Sequence, residues 1–254
     1  MTGAWLAGGV AAGGAAAFTL LGPVSWRRAA AGLTYRVGEV EHRLPDLRFA
    51  GAPPWMLRPD VLARMRTLLR YTHDLLAREG IDHWLTTGTL LGALRHRGFI
   101  PWDDDIDLQV PLAAMPALLA LRSQIERDGY HLYRAAGGFK LTSGGPGRYP
   151  YIDLVMVAPQ EGRMALCFPL DRDGRPTFAK ARQWPRECMR EEDIFPLGEC
   201  AFEDLRLLLP RNSGAVLRVM MGSDALTTVR HRRGGRWIHH LAMMTLFRLG
   251  ISGG

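Results

Sequence analysis

Four carboxylates stand within five consecutive positions of this 254-residue sequence, in the run Asp103-Asp104-Asp105-Ile106-Asp107. Carboxylates this close repel one another, which raises their pKa values unless a cation compensates the charge. A bound divalent metal ion is the simplest source of that compensation. The run therefore predicts a metal site, and we expect Mg²⁺ or Mn²⁺ because these ions prefer oxygen ligands.

Asp105 and Asp107 belong to a segment, 105–110, in which polar and apolar residues alternate. This period of two predicts a strand with one buried face, so both aspartates project from the same face. Magnesium is commonly held by one or two protein carboxylates together with substrate phosphates. Asp105 and Asp107 can provide the two carboxylates. Asp103 has the same parity but stands beside the turn at Pro101. Asp103 is therefore a third metal ligand, an outer-shell partner of the ligands or a solvated loop charge.

Asp153 is the charged residue of an otherwise uncharged segment from Tyr151 to Val157, which has the composition of a buried strand. An unpaired carboxylate in such a strand would cost several kcal/mol. If this strand pairs with the one that carries Asp105 and Asp107, Asp153 completes a catalytic cluster of three metal-binding carboxylates. The alternative is a structural carboxylate that is hydrogen-bonded to backbone amides or to an arginine.

Small residues, Gly88 and Thr89, precede a short helix that we predict over 90–96. The free N–H groups and the dipole of a helix N-terminus attract phosphate, so both are candidate substrate-binding residues. Arg95 on that helix and Lys140 in a later strand are further candidate phosphate contacts. A solvated strand charge is an equally good interpretation of Lys140.

Helical and strand patterns alternate along the chain. Apolar residues recur at helical spacing from Val61 to Leu76, where Pro59 suits the first turn and Gly80 the C-terminal cap. Further helices are predicted at 112–127 and, after an N-cap at Asn212 or Ser213, up to Met221. Strands are predicted at 82–86, 105–110, 130–134, 139–142, 151–157 and 205–209. The order predicts an α/β (α+β) fold.

Other metal and catalytic motifs do not fit the sequence. As an EF-hand loop, the run from Asp103 would place Leu108 where glycine is required and Ala114 where a bidentate glutamate belongs. There is no Walker loop, GxSxG elbow or HExxH motif. The three cysteines stand far apart without a CxxC pair, which predicts reduced core thiols instead of a disulfide framework or a zinc knuckle.

Composition divides the chain into four regions. Residues 1–25 are apolar and predict either a membrane anchor or a flexible leader, 26–58 a connector, 59–229 the catalytic domain, and 230–254 a basic amphipathic segment. That last segment lies either at a lipid surface or packed on the core. Arginines after the first apolar run favour the cytoplasmic side of a membrane. The formal charge of +7 suits anionic partners.

The stretch from His83 to Asp107 resembles the signature of the LicD family, which is related to fukutin-related protein. The resemblance continues through Tyr151-Ile152-Asp153-Leu154 and Phe202-Glu203-Asp204, and covers about 59–224. It implies a nucleotidyltransferase-like mixed sheet flanked by helices, with metal binding at Asp105 and Asp107. Characterised members of the family move a phospho-alcohol, such as phosphocholine or ribitol phosphate, from a CDP-linked donor to a glycan hydroxyl.

Two features depart from the family pattern. Family members often carry a Tyr-Gly-Asp segment where this chain has Met221-Gly222-Ser223-Asp224, and the zinc-binding cysteines of animal relatives have no counterpart here. The resemblance implies a metal-dependent phosphotransferase that uses a CDP-alcohol or other nucleotide donor and a glycan or glycolipid acceptor. A membrane surface is a further expected partner, and nucleic acid is not expected as one. The alternatives are transfer of the nucleotide itself and a non-catalytic, membrane-associated glycan-binding protein.

Overall fold

A computed structural model of the protein describes residues 34–37, 40–43, 48–50, 57, 59–101, 103, 105–135, 138–145, 150–168, 177–178 and 188–230. The leader predicted at 1–25 and nearly all of the amphipathic segment predicted at 230–254 lie outside these residues. Within the described ranges, no helix combines the length and the apolar composition that are needed to cross a bilayer.

Helices and strands are mixed along the chain, as predicted, but the structure contains several strands and one short helix that were not predicted. The first half contains β1 Thr34–Val37, β2 Val40–Arg43, β3 Arg48–Ala50, α1 Pro59–Arg78, β4 Trp84–Leu85, α2 Thr87–His96, β5 Ile106–Pro111, a 3₁₀ turn Leu112–Ala114, α3 Met115–Ala120 and α4 Arg122–Arg127. The second half contains β6 His131–Ala135, β7 Gly138–Thr142, β8 Tyr151–Gln160, β9 Arg163–Phe168, β10 Thr177–Phe178, β11 Cys188–Arg190, α5 Glu191–Ile194, β12 Gly198–Phe202, β13 Leu205–Leu209, α6 Ser213–Met221 and β14 Thr228–Arg230.

The central sheet is mixed, with helices packed on it. Strand β8 pairs in parallel with β5 on one edge; on its other edge it pairs antiparallel with β7 along its first half and with β9 along its second half. Strand β4 extends the sheet beyond β5, and β6 extends it beyond β7. The topology therefore places β5 and β8, the two strands that carry the predicted carboxylates, side by side.

Buried aliphatic side chains set the register between β5 and β8. Ile106 and Leu108 of β5 oppose Ile152 and Leu154 of β8, and all four side chains are buried. Because successive side chains point to opposite faces of a strand, the polar residues between them project together from the other face. A shift of one residue would expose the aliphatic pairs and bury the carboxylates, so hydrophobic burial fixes where the acidic groups meet.

Helix α1 supplies much of the core beside the sheet. Its buried positions recur at helical spacing and are Leu62, Met65, Leu68, Leu69, Thr72, Leu75 and Leu76. Burial of each leucine or methionine stabilises the fold by roughly 1.5–3 kcal/mol relative to an exposed side chain. The prediction of an amphipathic helix that starts at Pro59 is confirmed.

Helix α2 begins earlier than the sequence predicts. Thr86 has extended backbone angles and precedes the helix, whose first residue is Thr87. Gly88 and Thr89 therefore lie in the first helical turn instead of in a preceding turn, so the prediction of a helix over 90–96 was too short. The helix ends where Arg97 takes the left-handed conformation with φ 57°.

The single helix predicted at 112–127 is divided in the structure. A 3₁₀ turn at Leu112–Ala114 leads into the short α3, and α4 follows after Leu121. Pro116 lies in the first turn of α3, where the N–H group that proline lacks has no intrahelical partner. A continuous helix from 112 would instead have placed this proline in its interior, which explains the division at its start.

The three cysteines form no disulfide. Cys167 is buried, and Cys188 and Cys200 are half-buried. Burial raises the pKa of the Cys167 and Cys200 thiols to about 11, so both are protonated at neutral pH. The three thiols are free, as predicted, but of the three only Cys167 is fully buried in the core.

Candidate active site

Asp105, Asp107 and Asp153 converge on one side of the sheet. Asp107 and Asp153 are direct partners in the parallel pair of β5 and β8, and Asp105 stands just before β5. One oxygen atom from each of the three carboxylates lies within 4.8 Å of the others. The structure thus brings together the three residues that the sequence analysis selected, while Asp104 lies outside the described residues.

The electrostatics of this cluster favour a bound cation. Burial raises the pKa of Asp107 well above its usual range, and the neighbouring carboxylates of Asp105, Asp153 and Asp103 raise it further. A divalent ion at this position stabilises the ionised carboxylates and so opposes that rise. Three converging carboxylate oxygens are suitable ligands for Mg²⁺ or Mn²⁺, so the residues present fit the predicted ion.

Thr87 supports Asp107 from the first turn of α2. Its hydroxyl donates a hydrogen bond to Oδ2 of Asp107, which lowers the pKa of that carboxyl against the effect of burial. Thr87 has a φ of 42°, in the left-handed region that favours glycine. Such a conformation costs a β-branched residue on the order of 1–3 kcal/mol, and strain of this kind is concentrated at functional sites. Thr87 was not among the predicted site residues, and its place beside Gly88 is the one local signal for it in the sequence.

The first turn of α2 is also tied to β5 by Thr89. The Thr89 side chain is buried, and its Oγ1 accepts a hydrogen bond of 2.8 Å from the backbone N–H of Asp107. Two threonines of one helical turn therefore hold the same aspartate, one at its carboxylate and the other at its backbone. The Thr89 hydroxyl therefore fixes the first turn of α2 against the start of β5.

Gly88 lies against the carboxylate of Asp103. A Cβ atom at Gly88 would overlap Oδ2 of Asp103, so this approach requires glycine. The sequence left the role of Asp103 open. The structure places its carboxylate at the N-terminal turn of α2, beside the cluster of Asp105, Asp107 and Asp153. Its charge also contributes to the raised pKa of Asp107.

Arg95 links α2 to the turn that follows α6. Its Nη1 donates a hydrogen bond of 2.9 Å to the carbonyl oxygen of Ala225. Burial lowers the pKa of the guanidinium to about 10, and the negative charge of Asp103 opposes that change. Arg95 is therefore a partly buried cation at neutral pH, close enough to Asp103 for the two charges to interact.

Lys140 on β7 lies directly opposite Asp153 on β8. Its Nζ is 2.8 Å from Oδ1 and 2.9 Å from Oδ2 of Asp153, and 3.5 Å from the centroid of the Tyr151 ring. Asp153 thus has a charged partner, a lysine instead of the backbone amides or the arginine considered for it. The ammonium of Lys140 is bound to this carboxylate and is not a solvated strand charge.

The hairpin of β12 and β13 holds the loop that leads into β5. Glu203 lies in the hairpin turn, and its backbone N–H donates a hydrogen bond of 2.8 Å to the carbonyl oxygen of Arg97. The Oε1 atom of the Glu203 side chain accepts a hydrogen bond of 3.5 Å from the backbone N–H of Phe99. Arg66 of α1 lies 3.9 Å from its Oε2. Burial is the main reason that the pKa of Glu203 is raised to about 7. From the sequence, Glu203 has no predicted role beyond its place in the Phe202-Glu203-Asp204 segment of the family pattern.

The sequence of this region matches a known family. The family model described as "LicD/FKTN/FKRP, nucleotidyltransferase domain" matches residues 80–212, just over half of the chain. The chain belongs to the LicD family. The matched part includes the three carboxylates, all of α2 and Lys140, so the geometry described above lies within the LicD domain.

Three relatives are similar to parts of this chain, and their names differ. An uncharacterized protein of Rickettsia prowazekii is 43% identical over 145 residues, which are 56% of this chain and 48% of the relative. The lipopolysaccharide cholinephosphotransferase LicD of Haemophilus influenzae is 58% identical over 41 residues, 16% of each chain. The human ribitol 5-phosphate transferase FKRP is 32% identical over 112 residues, 42% of this chain and 23% of FKRP. The chain spans about half the length of the rickettsial relative and smaller shares of the other two.

Proposed function

We propose that this LicD family member is a metal-dependent phosphotransferase that moves a phospho-alcohol, such as phosphocholine or ribitol phosphate, from a CDP-linked donor to a hydroxyl of a glycan or glycolipid. The convergence of Asp105, Asp107 and Asp153 carries the proposal, because transfer from a diphosphate depends on neutralising its charge. The names of two relatives, a cholinephosphotransferase and a ribitol 5-phosphate transferase, support the choice of transferred group.

Asp105, Asp107 and Asp153 would hold Mg²⁺ or Mn²⁺ and fix its position relative to the donor. The ion, when bound, supplies neutralisation of the diphosphate and of the charge on the departing nucleotide. The backbone N–H groups at Gly88 and Thr89 would face a donor phosphate at the helix N-terminus, with Arg95 as an additional positive charge behind it. Catalysis by these residues would consist mainly of positioning and electrostatic stabilisation.

The acceptor is proposed to be presented at a membrane surface on the cytoplasmic side. The apolar composition of residues 1–25 and the arginines that precede apolar residues in 230–254 support this part of the proposal. Binding of the full chain to vesicles with and without anionic lipid tests it directly. Equal amounts of protein sedimenting with both vesicle types and without vesicles would contradict it.

Release of CMP is the direct test of the reaction. The purified full chain is incubated with Mg²⁺, a panel of CDP-alcohols and a glycan or glycolipid extract, and CMP is measured by chromatography. We expect CMP release with one CDP-alcohol that depends on both the extract and the metal, and that is lost in Asp107→Asn. CMP release by Asp107→Asn at the wild-type rate, with an intact fold, would refute the assignment.

Nucleotidyl transfer is the second candidate, because the matching family model describes a nucleotidyltransferase domain. In that reaction the nucleotide itself would move to the acceptor, and the same carboxylates would serve. The two reactions differ in their products: phospho-alcohol transfer from a CDP-alcohol releases CMP, whereas nucleotidyl transfer from a nucleoside triphosphate releases diphosphate. Measurement of both products in parallel with CDP-alcohols and with triphosphates therefore separates them.

A further inference from the structure

Three charged residues form a row across the neighbouring strands β7, β8 and β5. Lys140 opposes Asp153 in one strand pair, and Asp153 opposes Asp107 in the next. Residues directly opposite each other in a sheet project from the same face, where their side chains meet. The row therefore places one positive charge on the same face as the carboxylate cluster.

The ammonium of Lys140 is held in this row from two sides. Both oxygens of Asp153 lie within hydrogen-bond distance of Nζ, at 2.8 and 2.9 Å, and the Tyr151 ring covers it at 3.5 Å from the centroid. The side chains of Lys140 and Asp153 are each 24% exposed, so solvent weakens their attraction only partly. A carboxylate oxygen has two lone pairs, so Asp153 can accept from Lys140 and still face the cluster.

The charges of the cluster suggest what this lysine does. With an ion bound, the three ligand carboxylates are ionised and carry three negative charges, and Lys140 compensates one of them. The remainder is the charge that a single divalent ion balances. We propose that Lys140 is a positioning residue that acts as an internal counter-cation: it fixes Asp153, stabilises the metal-free cluster and leaves the site with the charge for one divalent ion. This inference rests on the metal site of the proposed function, and it replaces a direct phosphate contact as the role of Lys140.

The test is a titration of the full chain with Mn²⁺, followed by electron paramagnetic resonance of the free ion. We expect wild type to bind one Mn²⁺ per chain. Lys140→Met, which keeps most of the side-chain volume but removes the charge, should bind Mn²⁺ more tightly by a factor on the order of ten. Lys140→Arg should bind as wild type does. Arg127→Met is the matched control, because it removes one positive charge from an exposed position of α4.

Thermal unfolding gives a second reading that a merely structural lysine would not change. Lys140→Met should have a lower Tm than wild type in the absence of metal and a larger rise in Tm on addition of Mg²⁺. An equal loss of Tm with and without Mg²⁺ would assign Lys140 a structural role only and overturn the proposal. Unchanged or weaker Mn²⁺ binding by this variant, or two ions bound per wild-type chain, would also overturn it.

Tyr151→Leu keeps the proposal testable if Lys140→Met does not fold. This variant removes the ring that covers the ammonium, so Lys140 is held less firmly beside Asp153 and offsets less of the cluster's negative charge. We therefore expect Mn²⁺ affinity to rise by about threefold. No change in its affinity would contradict the proposal. Absence of Mn²⁺ binding by wild type would refute both the metal site and the role of Lys140, whereas one bound ion with no effect of the variants would refute the role of Lys140 alone.

Discussion

Asp107 on β5 and Asp153 on β8 lie directly opposite each other, although they belong to distant parts of the chain. Their meeting depends on the parallel pairing of the two strands and on the buried aliphatic residues that set its register. The carboxylates are therefore placed by the core, while α2 adds Thr87 and Thr89 from one side and β7 adds Lys140 from the other.

Asp107→Asn should abolish the metal-dependent activity without weakening the metal-free fold. Loss of a ligand at the centre of the cluster is expected to lower turnover on the order of 100-fold or more. In EDTA the variant should be at least as stable as wild type, because burial and neighbouring carboxylates disfavour the ionised form of Asp107. CMP release and thermal unfolding in EDTA measure the two effects. Asp82→Asn, at an exposed position, is the control and should change neither.

Substitutions at Thr87 should separate its hydroxyl from its backbone strain. Thr87→Val retains the shape but loses the donor to Asp107, so we expect weaker Mn²⁺ binding and lower turnover, by about tenfold. Thr87→Ser should retain both. Thr87→Gly relieves the strain of a φ of 42° and should unfold at a Tm no lower than that of Thr87→Val, while losing activity to a similar extent. Wild-type Mn²⁺ affinity in Thr87→Val would show that the hydroxyl does not support the site.

Gly88→Ala should affect the site more than the fold. The added Cβ would overlap the tip of the Asp103 side chain, which can rotate away, so the loss of stability should be at most about 1 kcal/mol. The displaced carboxylate and the added methyl group at the helix N-terminus should weaken donor binding, seen as an increase in KM for the CDP-alcohol. The double variant Gly88→Ala with Asp103→Ala removes the overlap. If the double variant were less stable than expected from the sum of the two single variants, the proposed overlap would be wrong.

Glu203 should make the stability of the fold depend on pH near neutrality. Its pKa is raised from 4.5 to about 7, so the folded state keeps a proton that the unfolded state releases within this window. Stability therefore falls as pH rises from 4.5 to 7, and the cost of ionisation is complete above that range. Glutamine at this position does not ionise, so it avoids this loss. The free energy of unfolding of Glu203→Gln, measured relative to wild type, should therefore rise between pH 4 and pH 8 by up to roughly 3 kcal/mol.

Urea unfolding at several pH values measures this difference for Glu203→Gln. The carboxyl lies near Arg66, Asp204 and the N–H of Phe99, and the attraction of Arg66 opposes the effect of burial. Glu126→Gln, at an exposed position of α4, is the control and should show no such change with pH. Parallel stability curves of wild type and Glu203→Gln would contradict the raised pKa.

Patterns along the chain determined much of this protein. Strict alternation put Asp105 and Asp107 on one strand face, helical spacing located α1, and a lone carboxylate in an apolar segment singled out Asp153. Each of these features depends on residues that are near one another in sequence, so local periodicity and composition are sufficient to detect them.

Only the tertiary structure decided which distant groups meet. The partnership of Lys140 with Asp153, the hydrogen bond from Thr87 to Asp107 and the contact of Glu203 with the loop before β5 all depend on strand order and register. Those are set by the joint burial of side chains from many elements, which no single segment encodes. The same dependence explains why the left-handed conformation of Thr87 could not be foreseen: threonine does not prefer it, and the surrounding contacts impose it.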